Sequence, residues 1–197
     1  MPVTTLGDLG RLDRPTLPAI TVTGNASVGG DTYLTGDLNV TGDAVITGAL
    51  QSASAISAGS DTLTVLASVH AGKVTKIGKT TGTVVTLPAA TGTGNVYTFV
   101  IGTTATSNAN IIKVANATDV MDGSVCLQQD TDSAGSLKMW LAAVGDDTIT
   151  LAGAATTGGK VGATIILRDY TTGFWSAQVF SSSGGGAEAT PFSATVS

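Results

Sequence analysis

Histidine, glutamate and cysteine are nearly missing from this 197-residue chain, which has one of each: His70, Glu188 and Cys126. A lone histidine excludes any metal centre or acid–base pair built from several imidazoles. A lone cysteine excludes an intrachain disulfide, and its apolar setting, Val125-Cys126-Leu127, reads as a buried packing position. With one Glu and only 12% charged residues, long solvated helices have almost nothing to cover them. Basic residues are scarce as well. None occurs between Arg14 and Lys73, and the net charge is −5, the opposite of the clustered Lys and Arg that a nucleic acid requires. No apolar run approaches the ~20 residues of a membrane span, and the first residues show no secretory-signal pattern. The expectation is a soluble chain with neither nucleic acid nor membrane as its partner.

What is plentiful points to strands. Gly occurs 26 times and Thr 33 times, and 42% of the chain is hydrophobic, which excludes disorder by composition. Val and Thr between frequent glycines mean many short strands joined by tight turns, an all-β chain.

Residues 20–50 carry a repeat. Aligned on its apolar positions the stretch gives five hexads, VTGNAS, VGGDTY, LTGDLN, VTGDAV and ITGALQ. The first position holds Val22, Val28, Leu34, Val40 and Ile46, and the third is always glycine: Gly24, Gly30, Gly36, Gly42 and Gly48. In an extended chain the first, third and fifth positions share a face, so these ten residues point inward while Thr, Asn and Asp point out. A straight strand of thirty residues would far exceed the usual ~10, so the chain must bend or wind at each Gly-Asp or Gly-Asn. Either one chain winds a left-handed β-helix or three chains wind about one axis. Five hexads make fewer than two coils of a single-chain β-helix, too few to bury a core, whereas three copies supply the missing neighbours. The ten residues are therefore assigned to the core of a trimer; the plainer alternative is a β-meander with coincidental spacing.

Around this stalk the chain divides into further parts. Residues 1–19 hold three of the five prolines and the scattered leucines Leu6, Leu9, Leu12 and Leu17, a segment too short for its own core and suited to an anchoring arm. Residues 51–62 read as an Ala/Ser linker. Residues 63–197 read as an antiparallel β-sandwich or jelly-roll-like domain of about ten strands, among them 63–69, 73–78, 83–87, 96–101, 124–128, 148–151, 162–168 and 174–180. Asp169-Tyr-Thr-Thr-Gly173 marks a hairpin with Trp175 as a core or interface anchor, and Gly184 to Gly186 separate off an extended tail, 184–197.

Motifs of chemistry are incomplete. Gly153 to Lys160 resembles a phosphate loop but has Ala154 at the first glycine position and Val161 in place of Ser or Thr. Gly92 to Tyr97 lacks the third glycine of a dinucleotide fingerprint. Asp130 to Gly135 resembles the start of a calcium loop, yet Leu141 stands where its bidentate Glu belongs. Asp130, Asp132, Asp146 and Asp147 fall in turn-like segments, where aspartate ordinarily caps the backbone, and His70 reads as a surface or strand-end histidine. No catalytic, metal-binding or cofactor-binding residue is assigned, and no cofactor is expected.

The hexads, with their VTGD, LTGDL and NVTG words, resemble repeats in trimeric fibre proteins of tailed bacteriophages. The stretches TVVTLPAATGTGNVYTFVIGTT, IIKVANATDVMDG, DTITLAGAATTGGKVGATIILRDYTTGFWSAQVF and GAEATPFSATVS are similar to a group of marine-phage virion proteins, head fibres and capsid decoration proteins among them. The resemblance covers most of residues 20–197. It implies a homotrimer with a slender stalk and a β-rich head, made in the host cytoplasm and carried on the outer capsid surface, with no enzymatic activity. The partners implied are further copies of the chain and the major capsid protein; the order of arm, repeat, linker and globular domain assigns Leu6, Leu9, Leu12 and Leu17 to gripping the latter. The alternative is a short tail fibre whose distal domain adsorbs to a host-surface glycan.

Overall fold

Alternation of apolar and polar residues past residue 55 produces strands throughout. The computed structural model describes residues 55–129, 137–153, 156–184 and 188–196. The elements are β1 (Ile56–Ser57), β2 (Thr62–Thr64), α1 (Ala67–His70), β3 (Val74–Ile77), β4 (Val84–Thr86), β5 (Val96–Ile101), β6 (Asn110–Lys113), β7 (Val120–Gln129), β8 (Leu137–Leu141), β9 (Thr148–Leu151), β10 (Thr164–Thr171), β11 (Phe174–Ser183) and β12 (Phe192–Ser193). The described region is all-β apart from one helical turn.

Two open sheets hold the strands, one of seven in the order β1-β3-β5-β10-β11-β7-β8 and one of five in the order β12-β9-β6-β4-β2. Both are mixed, not antiparallel as the turn spacing suggested. Through the first six strands the chain crosses from one sheet to the other at every step, so neighbours within a sheet are successive windings and run parallel: β1 with β3 with β5, and β2 with β4 with β6. Beyond β6 the antiparallel pairs β6–β9, β5–β10, β10–β11, β7–β8 and β9–β12 take over, interrupted by the long parallel ladder between β7 and β11. The β10–β11 pair is the hairpin expected at Asp169 to Gly173.

Period-two burial shows which way each strand faces. Tyr97, Phe99 and Ile101 of β5, Ile165 and Leu167 of β10, Trp175, Ala177 and Val179 of β11, and Met121, Val125 and Leu127 of β7 point inward. They meet Val85, Ile112, Ile149 and Leu151 of the smaller sheet in one continuous core. Trp175 is fully buried and stands edge-on to Tyr97, with centroids 5.6 Å apart and planes at 63°, which bears out its reading as a core anchor. At Gly123 the backbone has φ +135°, and an added Cβ would collide with the Ala177 carbonyl of β11, so the ladder closes there only because the residue is glycine.

Three expectations change. The strand expected over 63–69 stops at Thr64, because the main-chain N–H groups of His70 and Ala71 bond back to the Leu66 and Ala67 carbonyls and form α1. Its side chain turned inward, His70 is 5% exposed, not a surface residue, and its Nδ1 lies 3.1 Å from the Leu66 nitrogen. Beyond the Gly184–Gly186 run the chain is docked: β12 extends the smaller sheet, with Phe192 opposite Ile149 and 5% exposed, and the Thr150 amide donates to the Pro191 carbonyl at 2.8 Å.

Candidate functional site

The ten hexad positions from Val22 to Gly48 and the leucines Leu6, Leu9, Leu12 and Leu17 lie outside the described residues, as do Asp130 and Asp132. The side chains able to do chemistry in the described region are mainly aspartates, and their geometry shows what each does.

Asp169 sits on β10 and is 3% exposed. The loop carrying Gly92 and Gly94, the near-miss of a dinucleotide fingerprint, folds around its carboxylate. Amides of Thr91, Gly92 and Thr93 donate at 3.0, 2.7 and 3.1 Å, and the hydroxyls of Thr93 and Thr91 at 2.6 and 3.3 Å. Positive φ at Gly92, +76°, lets successive amides converge in the manner of an anion-binding nest. Burial pushes the carboxyl upward, but the Thr93 hydroxyl and the amides of Gly92, Thr93 and Thr91 outweigh it, leaving the group below its ordinary range. The glycine loop does bind an anion, and that anion belongs to the chain itself.

Two further buried aspartates repeat the device. Asp119 accepts from the Ala90 amide at 2.8 Å and from Asn116 Nδ2 at 2.9 Å, while Asn116 Oδ1 takes the amides of Thr118 and Asp119. Asp147 accepts from the amides of Thr195 and Val196 at 2.8 and 3.0 Å and from the Thr148 hydroxyl at 2.8 Å, holding the last described residues against β9. Asp146 makes the turn contact expected of it, taking the Ala143 amide at 2.7 Å. Nothing in the sequence distinguishes Asp147 from Asp146, because the donors that bury it come from nearly fifty residues downstream. Among the described residues, no three His, Cys, Asp or Glu side chains gather as a metal would need. No described helix is long and apolar enough to cross a membrane.

The only glutamate is also structural. Glu188 takes the Ser183 hydroxyl at 3.0 Å and lies 3.4 Å from Lys138 Nζ, its side chain fully covered. Burial pushes it upward, yet its own backbone amide, Ser183 and Lys138 bring it below the usual value. Lys73, Lys76 and Lys79 form no stripe; Lys79 pairs with Asp61 at 2.7 Å.

The outward face of the seven-stranded sheet presents two surface features. At the β10–β11 end, Arg168, Tyr170, Asp122 and Ser176 line a cleft of about 300 Å³. The Tyr170 hydroxyl donates to Asp122 at 2.6 Å, a bond that raises its pKa, and the Tyr170 ring lies 6.4 Å from that of Phe174. Toward the other edge, Cys126, Gln128, Leu137, Val161 and Phe180 line a depression of about 360 Å³. Cys126 is thus partly exposed on the outer face, not a fully buried packing residue, because β7 turns Val125 and Leu127 inward on either side of it.

No family model matches the chain, and neither a curated protein nor a solved structure matches it.

Proposed function

We propose that this chain is a homotrimeric structural protein of a tailed-bacteriophage virion, a head fibre or capsid decoration protein that works by assembly. The observation that carries the reading is the run of five hexads at residues 20–50, too short to bury its apolar first positions within one chain. Three chains wound together cover them, as a β-helix-like stalk bearing sandwich-like heads. The described domain supports the reading through its acids: Asp119, Asp147, Asp169 and Glu188 are each engaged in holding chain segments together. In this proposal Leu6, Leu9, Leu12 and Leu17 grip the major capsid protein and the β domains project from the shell. The test is imaging of phage particles carrying a label on this chain, with a count of copies per particle. Hundreds of copies over the capsid support it; label confined to the tail, or absent from particles, overturns it. Within the first outcome, deletion of residues 1–19 is expected to abolish capsid binding.

A second reading, a tail fibre that adsorbs to a host glycan, is favoured by the cleft of Arg168, Tyr170, Asp122 and Ser176. An exposed ring beside a basic donor and an acidic acceptor is the combination a sugar needs. Label at the tail together with glycan binding lost in Tyr170→Ala would establish it.

A further inference from the structure

Pairing register gathers the most exposed apolar residues of the larger sheet in one place, while the less exposed Val74, Tyr170 and Phe174 lie elsewhere on it. Phe180 of β11 lies opposite Cys126 of β7, which lies opposite Met139 of β8, so the three form a single cross-strand row. Leu137 and Leu141 flank Met139 on the same face. Exposures are 61% for Leu137, 63% for Met139, 77% for Leu141 and 61% for Phe180, high for side chains of this size. The polar neighbours on this face, Ser124, Gln128 and Ser182, are uncharged, and Lys138 turns to the other side toward Glu188. Among the described residues β8 is the last strand of its sheet, with its outer backbone edge unpaired. Edge strands in monomeric proteins are commonly blunted by Lys, Pro, a bulge or an inward-pointing charge; β8 carries Lys138 on its other side, and on this face it shows alternate Leu, Met and Leu.

We infer that this face is the contact between head domains, lining the three-fold axis so that β8 and the Phe180–Cys126–Met139 row of one copy pack against a second copy. The inference rests on the trimeric reading of the hexads. A second copy is favoured over other occupants by the length of chain joining the two regions: the last hexad ends at Gln51 and β1 begins at Ile56. Those few residues span at most about 3.6 Å each, so three domains leaving one stalk remain within touching distance. Tethering at that range gives a millimolar effective concentration, enough for a patch that would be too weak between free chains. Exposed Phe, Met and Leu without charge is the composition of an interface centre. The patch also lies at the opposite edge of the sheet from β1, where the chain enters, six strand spacings or about 28 Å away.

Cys126, the chain's single thiol, reports on the contact from its centre. The experiment measures sedimentation mass and the rate of maleimide labelling of Cys126 in the full chain, in Met139→Glu/Leu141→Glu, and in Val28→Asp/Leu34→Asp/Val40→Asp. Buried-tryptophan fluorescence checks the fold of each, and Phe180→Ser is the substitute should the double variant misfold. The expected result is a trimeric full chain whose thiol reacts at least about tenfold more slowly than in the face variant, which stays trimeric through its hexads. The hexad variant is expected to be a monomer with a fast thiol. A trimer with equally fast labelling in the full chain and the face variant overturns this contact and leaves the trimer standing. A monomeric full chain overturns both. A thiol still shielded in the monomeric hexad variant shows that the chain's own residues cover the face, which also overturns the contact.

Discussion

Replacing Asp169 by alanine removes the acceptor on which the 91–93 loop is built. Three amide bonds to a charged acceptor at roughly 1.5–3 kcal/mol each sum to about 5–9 kcal/mol, before any contribution from the two hydroxyls. That sum is too large for the expected loss, because Thr91, Gly92 and Thr93 are exposed and their amides regain water once the carboxylate is gone. For an exposed loop able to readjust, the loss expected is about 2–4 kcal/mol. At about 3 °C per kcal/mol for a domain of this size, the melting midpoint should fall by roughly 6–12 °C. Fluorescence of Trp175, which lies opposite Asp169 across the hairpin, follows the transition. The pH dependence supplies a second reading. Because the folded carboxyl titrates below its unfolded value of about 3.9, its stabilisation is present in full above that value and is lost as pH falls through the folded pKa. The gap between wild type and Asp169→Ala should be widest near neutrality and close in acid. A variant within about 0.5 kcal/mol of wild type at pH 7, or a gap unchanged down to pH 2, would refute the account of the loop.

Gly123→Ala combines a left-handed φ with a collision at the Ala177 carbonyl and should cost at least about 2–3 kcal/mol, read as a lower urea midpoint. Phe192→Ala empties a buried site on β12 and should cost about 3–4 kcal/mol, with greater aggregation as the β9 edge loosens, followed by light scattering. Val28→Asp, Leu34→Asp and Val40→Asp together should leave the β domain folded by fluorescence while lowering the sedimentation mass; an unchanged oligomer would sink the intertwined stalk.

Local pattern was enough for much of the strand content. Val96–Ile101 and Thr148–Leu151 were legible to the residue because alternation and flanking turns coincide there. The hairpin at Asp169 to Gly173 was legible for the same reason. Pairing direction was not, since parallel windings are set by crossings between sheets that leave no mark on a six-residue window. The ends of β7 and β11 ran past their expected limits because each is the other's partner over ten positions, Val120–Gln129 against Phe174–Ser183, and pairing carries polar residues such as Ser181 to Ser183 into a strand. Asp119, Asp147 and Asp169 could not be distinguished from turn aspartates, as their main-chain donors lie 29, 48–49 and 76–78 residues away. His70 was misplaced because a single helical turn has too few residues to show a period.

The ladder between β7 and β11 bears on how the domain comes apart. Its first pair, Val120 with Phe174, joins residues more than fifty apart, and the pairs β2–β4 and β4–β6 also skip an intervening strand of the other sheet. Neither sheet can be completed before the other is under way, so folding must close long loops before it gains the contacts that reward them, which places it at the slow end, milliseconds to seconds. The same connectivity slows the reverse path: apart from β8 at the sheet edge, whose described partner β7 directly precedes it in the chain, little can peel away without breaking partners supplied by remote chain. Resistance to loss of structure then resides in a rate as much as in an equilibrium, and the way to measure it is an unfolding half-life in strong denaturant.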